Sequence, residues 1–123
     1  MMDAKILIVD DNPDLIALLK VRLKTFGYEV VTADNGHKCL EKAREENPDL
    51  ILLDILMPSM DGFQALKELK EDAKTKSIPI IMLTAKDQLS DVAKANDLGA
   101  ADFIVKPFDY RVLLEKIKKV VKN

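Results

Sequence analysis

Four short apolar runs in this 123-residue chain each end on a side chain suited to phosphate or metal chemistry. Lys5-Ile6-Leu7-Ile8-Val9 leads into Asp10-Asp11, and Leu50-Ile51-Leu52-Leu53 into Asp54. Ile80-Ile81-Met82-Leu83 leads into Thr84, and Phe103-Ile104-Val105 into Lys106-Pro107. Three carboxylates brought together repel one another, so at least one should have a raised pKa. A hard divalent cation relieves that repulsion. A site with few protein carboxylates, leaving room for water and phosphate oxygens, suits Mg²⁺ better than a Ca²⁺ cage, with Mn²⁺ an acceptable substitute. No His or Cys stands nearby, so the donors do not suit zinc. Lys106 offers a compact positive charge for a phosphate oxygen or carboxylate, and Thr84 a hydroxyl donor. Metal, lysine and hydroxyl together would stabilise the equatorial oxygens of a phosphoryl group in flight. A carboxylate is a competent nucleophile for forming an aspartyl-phosphate. Asp54 is the candidate, because it stands alone at the end of a central strand facing the paired acids.

Convergence of these residues requires a parallel sheet. Short all-apolar runs between helix-like segments read as strands buried on both faces. Ligands of such sheets bind outside the carboxyl ends of the strands, near the point where strand order reverses. The pattern here is strand then helix, five times. Strands are expected over Lys5–Val9, Tyr28–Ala33, Leu50–Leu53, Ile78–Leu83 and Phe103–Val105, with Pro79 tolerable because it lies at a strand's start. The first helix opens at Asn12-Pro13, carries Ile16, Leu19, Leu23 and Phe26 at helical spacing, and ends at Gly27. The second spans Gly36–Glu46 with Leu40 and Ala43 inward. Asp61-Gly62-Phe63-Gln64 has capping-box spacing and starts a third through Phe63, Leu66 and Leu69. A fourth covers about 87–98, closed by Gly99, and Asp109 caps a fifth carrying Leu113, Ile117 and Val120. Strict alternation with short loops predicts an α/β fold, a doubly wound five-stranded parallel sheet with helices on both faces.

Taken singly, each acid has an ordinary explanation, since Asp at a strand-to-helix turn is favoured as a cap. Asp61 and Asp109 are read as caps only. Asp34, Asp49, Asp72 and Asp97 fall at no apolar strand's carboxyl end and are read as surface. His37, the sole histidine, is placed on the surface at a helix start, and Cys39 in the core as a small apolar residue. Chance does not readily put all four functional groups at four strand ends.

Ile8-Val9-Asp10-Asp11, Leu53-Asp54 with Met57-Pro58-Ser59-Met60-Asp61-Gly62, Leu83-Thr84-Ala85 and Val105-Lys106-Pro107-Phe108 together resemble the receiver domain of bacterial response regulators, of the chemotaxis and phosphorelay type, across essentially the whole chain. The resemblance implies a flavodoxin-like fold with strand order 2-1-3-4-5, one of the two common doubly wound orders. It implies that Asp54 accepts a phosphoryl group from a sensor histidine kinase or a histidine phosphotransfer protein. Asp11, Asp54 and the backbone carbonyl of Leu56 would bind Mg²⁺, with Asp10 acting mostly through water. Lys106 would pair with the phosphoryl group, aimed inward by a cis Lys106-Pro107 bond, and Thr84 would move to hydrogen-bond it. Phe103 matches the family's aromatic switch position; lacking a hydroxyl, it must act by packing. Leu15 and Leu18 lie off the core stripe of the first helix beside the acidic site; read as exposed leucines, they are with Pro107 and Phe108 the expected docking surface for the phosphodonor. The face of the fourth helix, fifth strand and fifth helix is the expected output surface. Leu56 and Lys86, two residues past Asp54 and Thr84, border the approach of hydrolytic water, and an apolar Leu56 predicts slow self-dephosphorylation.

The resemblance implies a signalling receiver that catalyses only its own phosphorylation and slow dephosphorylation. An aspartyl-phosphate phosphatase of the haloacid-dehalogenase type would carry its nucleophile in an Asp-x-Asp pattern after the first strand, where this chain has Asp10-Asp11-Asn12-Pro13. A flavodoxin-like flavin carrier would need a Ser/Thr/Gly-rich phosphate loop there, and Asp10-Asp11 would repel the flavin phosphate. The length fits one domain over residues 1–123. Nineteen basic against twenty-one acidic residues leave a formal charge of −2, which gives no excess to neutralise nucleic-acid phosphates. One cysteine leaves no internal disulfide and suits a reducing cytosol. No run is long enough for a membrane helix and Met1-Met2-Asp3 starts no signal peptide, so the expected compartment is the cytoplasm. Two arrangements fit the end of the sequence after the fifth helix: a stand-alone receiver acting on a downstream protein, or the receiver of a longer regulator with its own output domain. The unphosphorylated form is expected to be monomeric.

Overall fold

The computed structural model describes residues 4–85 and 91–121. Strands and helices alternate throughout: β1 (Lys5–Val9), α1 (Pro13–Thr25), β2 (Glu29–Ala33), α2 (Gly36–Glu46), β3 (Leu50–Asp54), α3 (Gly62–Glu71), β4 (Ile80–Ala85), α4 (Asp91–Asp97), β5 (Asp102–Lys106) and α5 (Tyr110–Val121). All five strands pair in parallel in the order β2-β1-β3-β4-β5. From β1 the chain steps outward to β2 and then back across to β3, so strand order reverses between β1 and β3. Asp10 follows the carboxyl end of β1, and Asp54 is the last residue of β3.

Alternation along the strands sorts side chains into two cores. Leu7, Val9, Ile51, Leu53, Ile80 and Met82 pack on one face against α2, α3 and Ala95 of α4. Ile6, Ile8, Leu50, Leu52, Ile81, Leu83 and Ile104 pack on the other against Leu19 and Leu23 of α1 and Leu113 and Ile117 of α5. Every residue of β3 is buried, as expected for a central strand covered on both sides. Burying each such Leu or Ile contributes about 1.5–3 kcal/mol. Cys39 is fully buried in the first core, and burial pushes its thiol up to about 12, which keeps it a packing residue.

Local chemistry fixes the helix ends. The Asn12 side chain accepts from the amides of Asp14 and Leu15 ahead of Pro13 at the first helical position. Asp61 accepts from the Gln64 amide at 2.9 Å. Gly27 closes α1 at φ +95°, and Gly99 follows α4 at φ +100°, conformations that glycine adopts at little cost.

Several expected boundaries move. β3, β4 and β5 run through Asp54, Ala85 and Lys106, because these residues keep the ladder register Asp54↔Leu83 and Ala85↔Lys106. β4 begins at Ile80, not Ile78: the Ile78 amide is used in a turn to the Thr75 carbonyl, and Pro79 has no amide to offer. Phe26, placed by the sequence at the helical spacing of Leu19 and Leu23, is 53% exposed, because α1 ends at Thr25 and the backbone turns off the helical path at Phe26. Tyr28 precedes β2 and does not join it. The start of the fourth helix expected from the sequence lies outside the described residues. No described helix is long and apolar enough to cross a membrane.

Candidate functional site

Strand alternation decides which groups meet. Asp10, Asp54 and Lys106 each lie two residues beyond a member of the α1/α5 core, namely Ile8, Leu52 and Ile104, and so share that side at the sheet's carboxyl end. The Lys106 ammonium donates to Asp10 Oδ2 at 2.7 Å and to Asp54 Oδ1 at 3.2 Å. Asp10 is almost wholly buried, at 1% exposure, and its second oxygen accepts the Asn12 amide at 2.9 Å. Both Asp10 oxygens are therefore engaged. Asp11 is exposed beside them, and one carboxylate oxygen from each of Asp10, Asp11 and Asp54 lies within 4.8 Å of the others. The Lys106–Pro107 peptide is cis.

The electrostatics follow from this crowding. Burial first, then the Asp10 charge, pushes the Asp54 carboxyl up to about 6 from its ordinary 3.8, against the pull of Lys106. Burial works to lower the Lys106 ammonium, yet its bonds to Asp10 and Asp54 outweigh that and hold it above its ordinary value. The raised acid expected from three converging carboxylates is thus Asp54. One ammonium does not compensate three carboxylates, and the unbalanced charge is an all-oxygen donor set open at Asp11. Those donors fit a hard divalent cation such as Mg²⁺ and do not fit a soft metal.

Thr84 and Phe103 occupy the opposite side of the sheet. Thr84 is buried and its hydroxyl donates to the Ala85 carbonyl at 3.3 Å. Phe103 lies beside Met82 in the ladder and packs, half-buried, against the core under α2, α3 and α4. Lys116 of α5 stands over its ring at 5.5 Å while donating to Asp102 at 3.0 Å. Phe103 also walls a groove of about 510 Å³ between α4 and β5 with Val92, Ala95 and Asn96.

The Leu56 side chain is 54% exposed, and Lys86 lies outside the described residues. Leu18 is 47% exposed as expected. Leu15, expected exposed, is half-buried at the edge of the α1/α5 core, because α1 rotates it toward the β5–α5 connection. There it lines a groove of about 360 Å³ with Asn12, Lys106, Pro107, Phe108 and Tyr110. Arg22 covers the Tyr110 ring at 4.5 Å. A larger cavity of about 700 Å³ between α1 and α2 reaches the acidic site only at Asp11. His37, Asp34, Asp49 and Asp97 are exposed, as expected, while Asp72 is drawn into a 2.6 Å pair with Arg44. Lys116 beside Phe103 and the Asn12 amide on Asp10 carry no local signal in the sequence; the first pairs residues on separate elements, and the second uses a backbone group.

Comparison with known proteins converges on one family. The family model described as the response regulator receiver domain matches residues 6–118. PilH of Pseudomonas aeruginosa is 43% identical over 118 residues, 96% of this chain and 98% of that protein. The alkaline phosphatase synthesis transcriptional regulatory protein PhoP of Bacillus subtilis is 40% identical over 99% of this chain, which spans 50% of that relative's length. Among solved structures, the receiver domain of the sensor histidine kinase PA1611 from Pseudomonas aeruginosa, with a magnesium ion coordinated in its active-site cleft, superposes with a TM-score of 0.90 at 28% identity, covering 99% of this chain and 100% of that one.

Proposed function

This chain belongs to the response regulator receiver domain family, and from that premise we propose that it is a two-component signalling switch whose Asp54 takes a phosphoryl group from the phosphohistidine of a sensor kinase or phosphotransfer protein. The observation that carries this reading is the Lys106 ammonium held between Asp10 and Asp54, with Asp11 open to solvent beside them. In the transfer, an Asp54 oxygen attacks phosphorus in line. The O–P bond forms as the P–N bond breaks, and the departing imidazole nitrogen takes up a proton. Lys106, already within reach of both carboxylates, balances charge on a phosphoryl oxygen.

Asp11, Asp54 and the Leu56 backbone carbonyl would hold Mg²⁺, with Asp10 acting through water. The bound cation would offset the repulsion among the carboxylates and between them and the incoming phosphoryl group. The engagement of both Asp10 oxygens by Lys106 and Asn12 supports an indirect part for that residue. The magnesium ion in the PA1611 receiver supports the choice of metal.

Turning of the Thr84 hydroxyl from the Ala85 carbonyl toward the phosphoryl group would vacate space on the sheet face that Phe103 shares. The ring would turn inward and reshape the α4–β5–α5 face for a downstream protein, a bias between two packings a few kcal/mol apart. Leu15, Leu18, Pro107 and Phe108 would dock the phosphodonor, next to the nucleophile it must reach.

Acetyl phosphate with Mg²⁺ tests the assignment. The wild-type chain should gain one acid-stable, base-labile phosphoryl group, Asp54→Asn none, and Asp11→Ala should lose Mg²⁺ affinity and most of the rate. Comparable labelling of Asp54→Asn at another residue would refute the assignment.

A further inference from the structure

Resting on the assignment of Asp54 as phosphoacceptor, we infer that Gly62 is a positioning residue for the transfer: the absence of a side chain at the first turn of α3 sets where the Asp54–Ile55–Leu56 backbone lies. Gly62 is buried, and its φ is outside the left-handed region that Gly27 and Gly99 occupy. Space, not backbone conformation, is what excludes a side chain there. A Cβ built on Gly62 would overlap the Asp54 carbonyl oxygen and stand 2.7 Å from Ile55 Cα and 3.0 Å from the Asp54 carbonyl carbon. All three are backbone atoms and cannot swing aside as a side-chain tip can. The Gly62 amide donates to the Ile55 carbonyl at 2.7 Å, so α3 is bonded to the segment that a larger residue would displace.

Gly36 provides the contrast. A Cβ there would meet Met60 Cβ and Cγ at 2.7 Å and Sδ at 2.8 Å. A rotamer change moves Cγ and Sδ but not Cβ, so the remaining relief falls on the Met60 backbone and not on the Asp54–Ile55 peptide. At Gly62 the only relief is movement of α3 or of the Asp54–Ile55 peptide. The second movement shifts the Asp54 carboxylate relative to Lys106 and carries the Leu56 carbonyl with it. Misplacement of reacting groups by about 1 Å lowers rates on the order of a hundredfold.

Gly62→Ala, with Gly99→Ala as control, separates positioning from mere destabilisation. Alanine at 99 is strained by φ +100°, yet its Cβ would meet only the stem of Lys70, at 3.5 Å, remote from the acidic site. Both variants should lose stability in urea. Only Gly62→Ala should weaken Mg²⁺ binding several-fold, read from amide chemical shifts, and slow acetyl phosphate labelling by roughly ten- to a hundredfold. Wild-type Mg²⁺ affinity and labelling in Gly62→Ala would overturn the inference, as would equal losses in Gly99→Ala. Should Gly62→Ala not fold, the wild-type Gly62 amide is the probe. Its resonance should shift on Mg²⁺ titration and again with beryllofluoride, and a signal that stays put while Asp11 moves would overturn the inference. Failure of the wild-type chain to label would instead refute the assignment of Asp54.

Discussion

Replacing Asp54 with asparagine should stabilise the metal-free protein at neutral pH while abolishing its chemistry. The Asp54 carboxyl is 8% exposed and titrates near 6 in the folded chain against 3.8 ordinarily. A carboxyl with a higher pKa in the folded state binds its proton more tightly there. Its favourable contribution is complete below the unfolded value of 3.8 and is lost as the pH rises through 6. The rise from 3.8 to about 6, at about 1.4 kcal/mol for each tenfold in proton affinity, corresponds to about 3 kcal/mol, the penalty of ionising Asp54 in place. Asparagine keeps the shape and cannot ionise, so it escapes that penalty. In urea with EDTA, the advantage of Asp54→Asn over wild type should be small near pH 4 and widen to about 3 kcal/mol by pH 7.5, a midpoint shift on the order of 1 M or more. Saturating Mg²⁺ should raise only the wild type and close the gap. A pH-independent difference, or a mutant less stable than wild type at pH 7.5 in EDTA, would refute the view that Asp54 is held ionised against its surroundings.

Leu15→Asp should slow phosphoryl transfer from a cognate phosphohistidine at least tenfold while leaving acetyl phosphate labelling intact, measured with both donors on one preparation; equal loss with both would make Leu15 a packing residue only. Leu56→Asn should shorten the phosphoryl lifetime without changing Mg²⁺ affinity, because the metal would use this residue's backbone oxygen; loss of radiolabel over time checks it, and an unchanged lifetime would clear the side chain of any control over water.

Much of the fold is legible in the sequence because periodicity and punctuation agree. β1 and α2 fall where they are expected, since an unbroken apolar run and the Asn35-Gly36 start leave little choice. β3 and β5 end one residue past their last apolar side chain, because Asp54 and Lys106 continue the hydrogen-bonded ladder and polarity alone does not mark where a strand stops. Phe26 misleads because helical spacing does not reveal where the backbone leaves the helix. At the site, the meeting of Asp10, Asp11, Asp54 and Lys106 follows from strand ends alone. The position of Thr84 and Phe103 on the opposite sheet face is implicit in strand parity, which a reading by strand ends overlooks. Contacts such as Gly62 against the Asp54 peptide, or Lys116 over Phe103, depend on how separate elements abut, and no local pattern encodes them.

The Lys106 clasp also bears on when during folding the site comes into being. Among the described residues β5 pairs only with β4, yet its last residue ties the carboxyl ends of β1 and β3 together across 96 and 52 residues of chain. Contacts of such separation carry a loop-closure cost that is met before they contribute stability, so they tend to form late. A nascent or partly unfolded molecule that held Asp10, Asp11 and Asp54 at their strand ends before β5 docked would lack the ammonium that offsets their charge. On the proposed role of Asp54, such a chain would be a poor phosphoacceptor, and competence to take up a phosphoryl group would report that the last strand has docked.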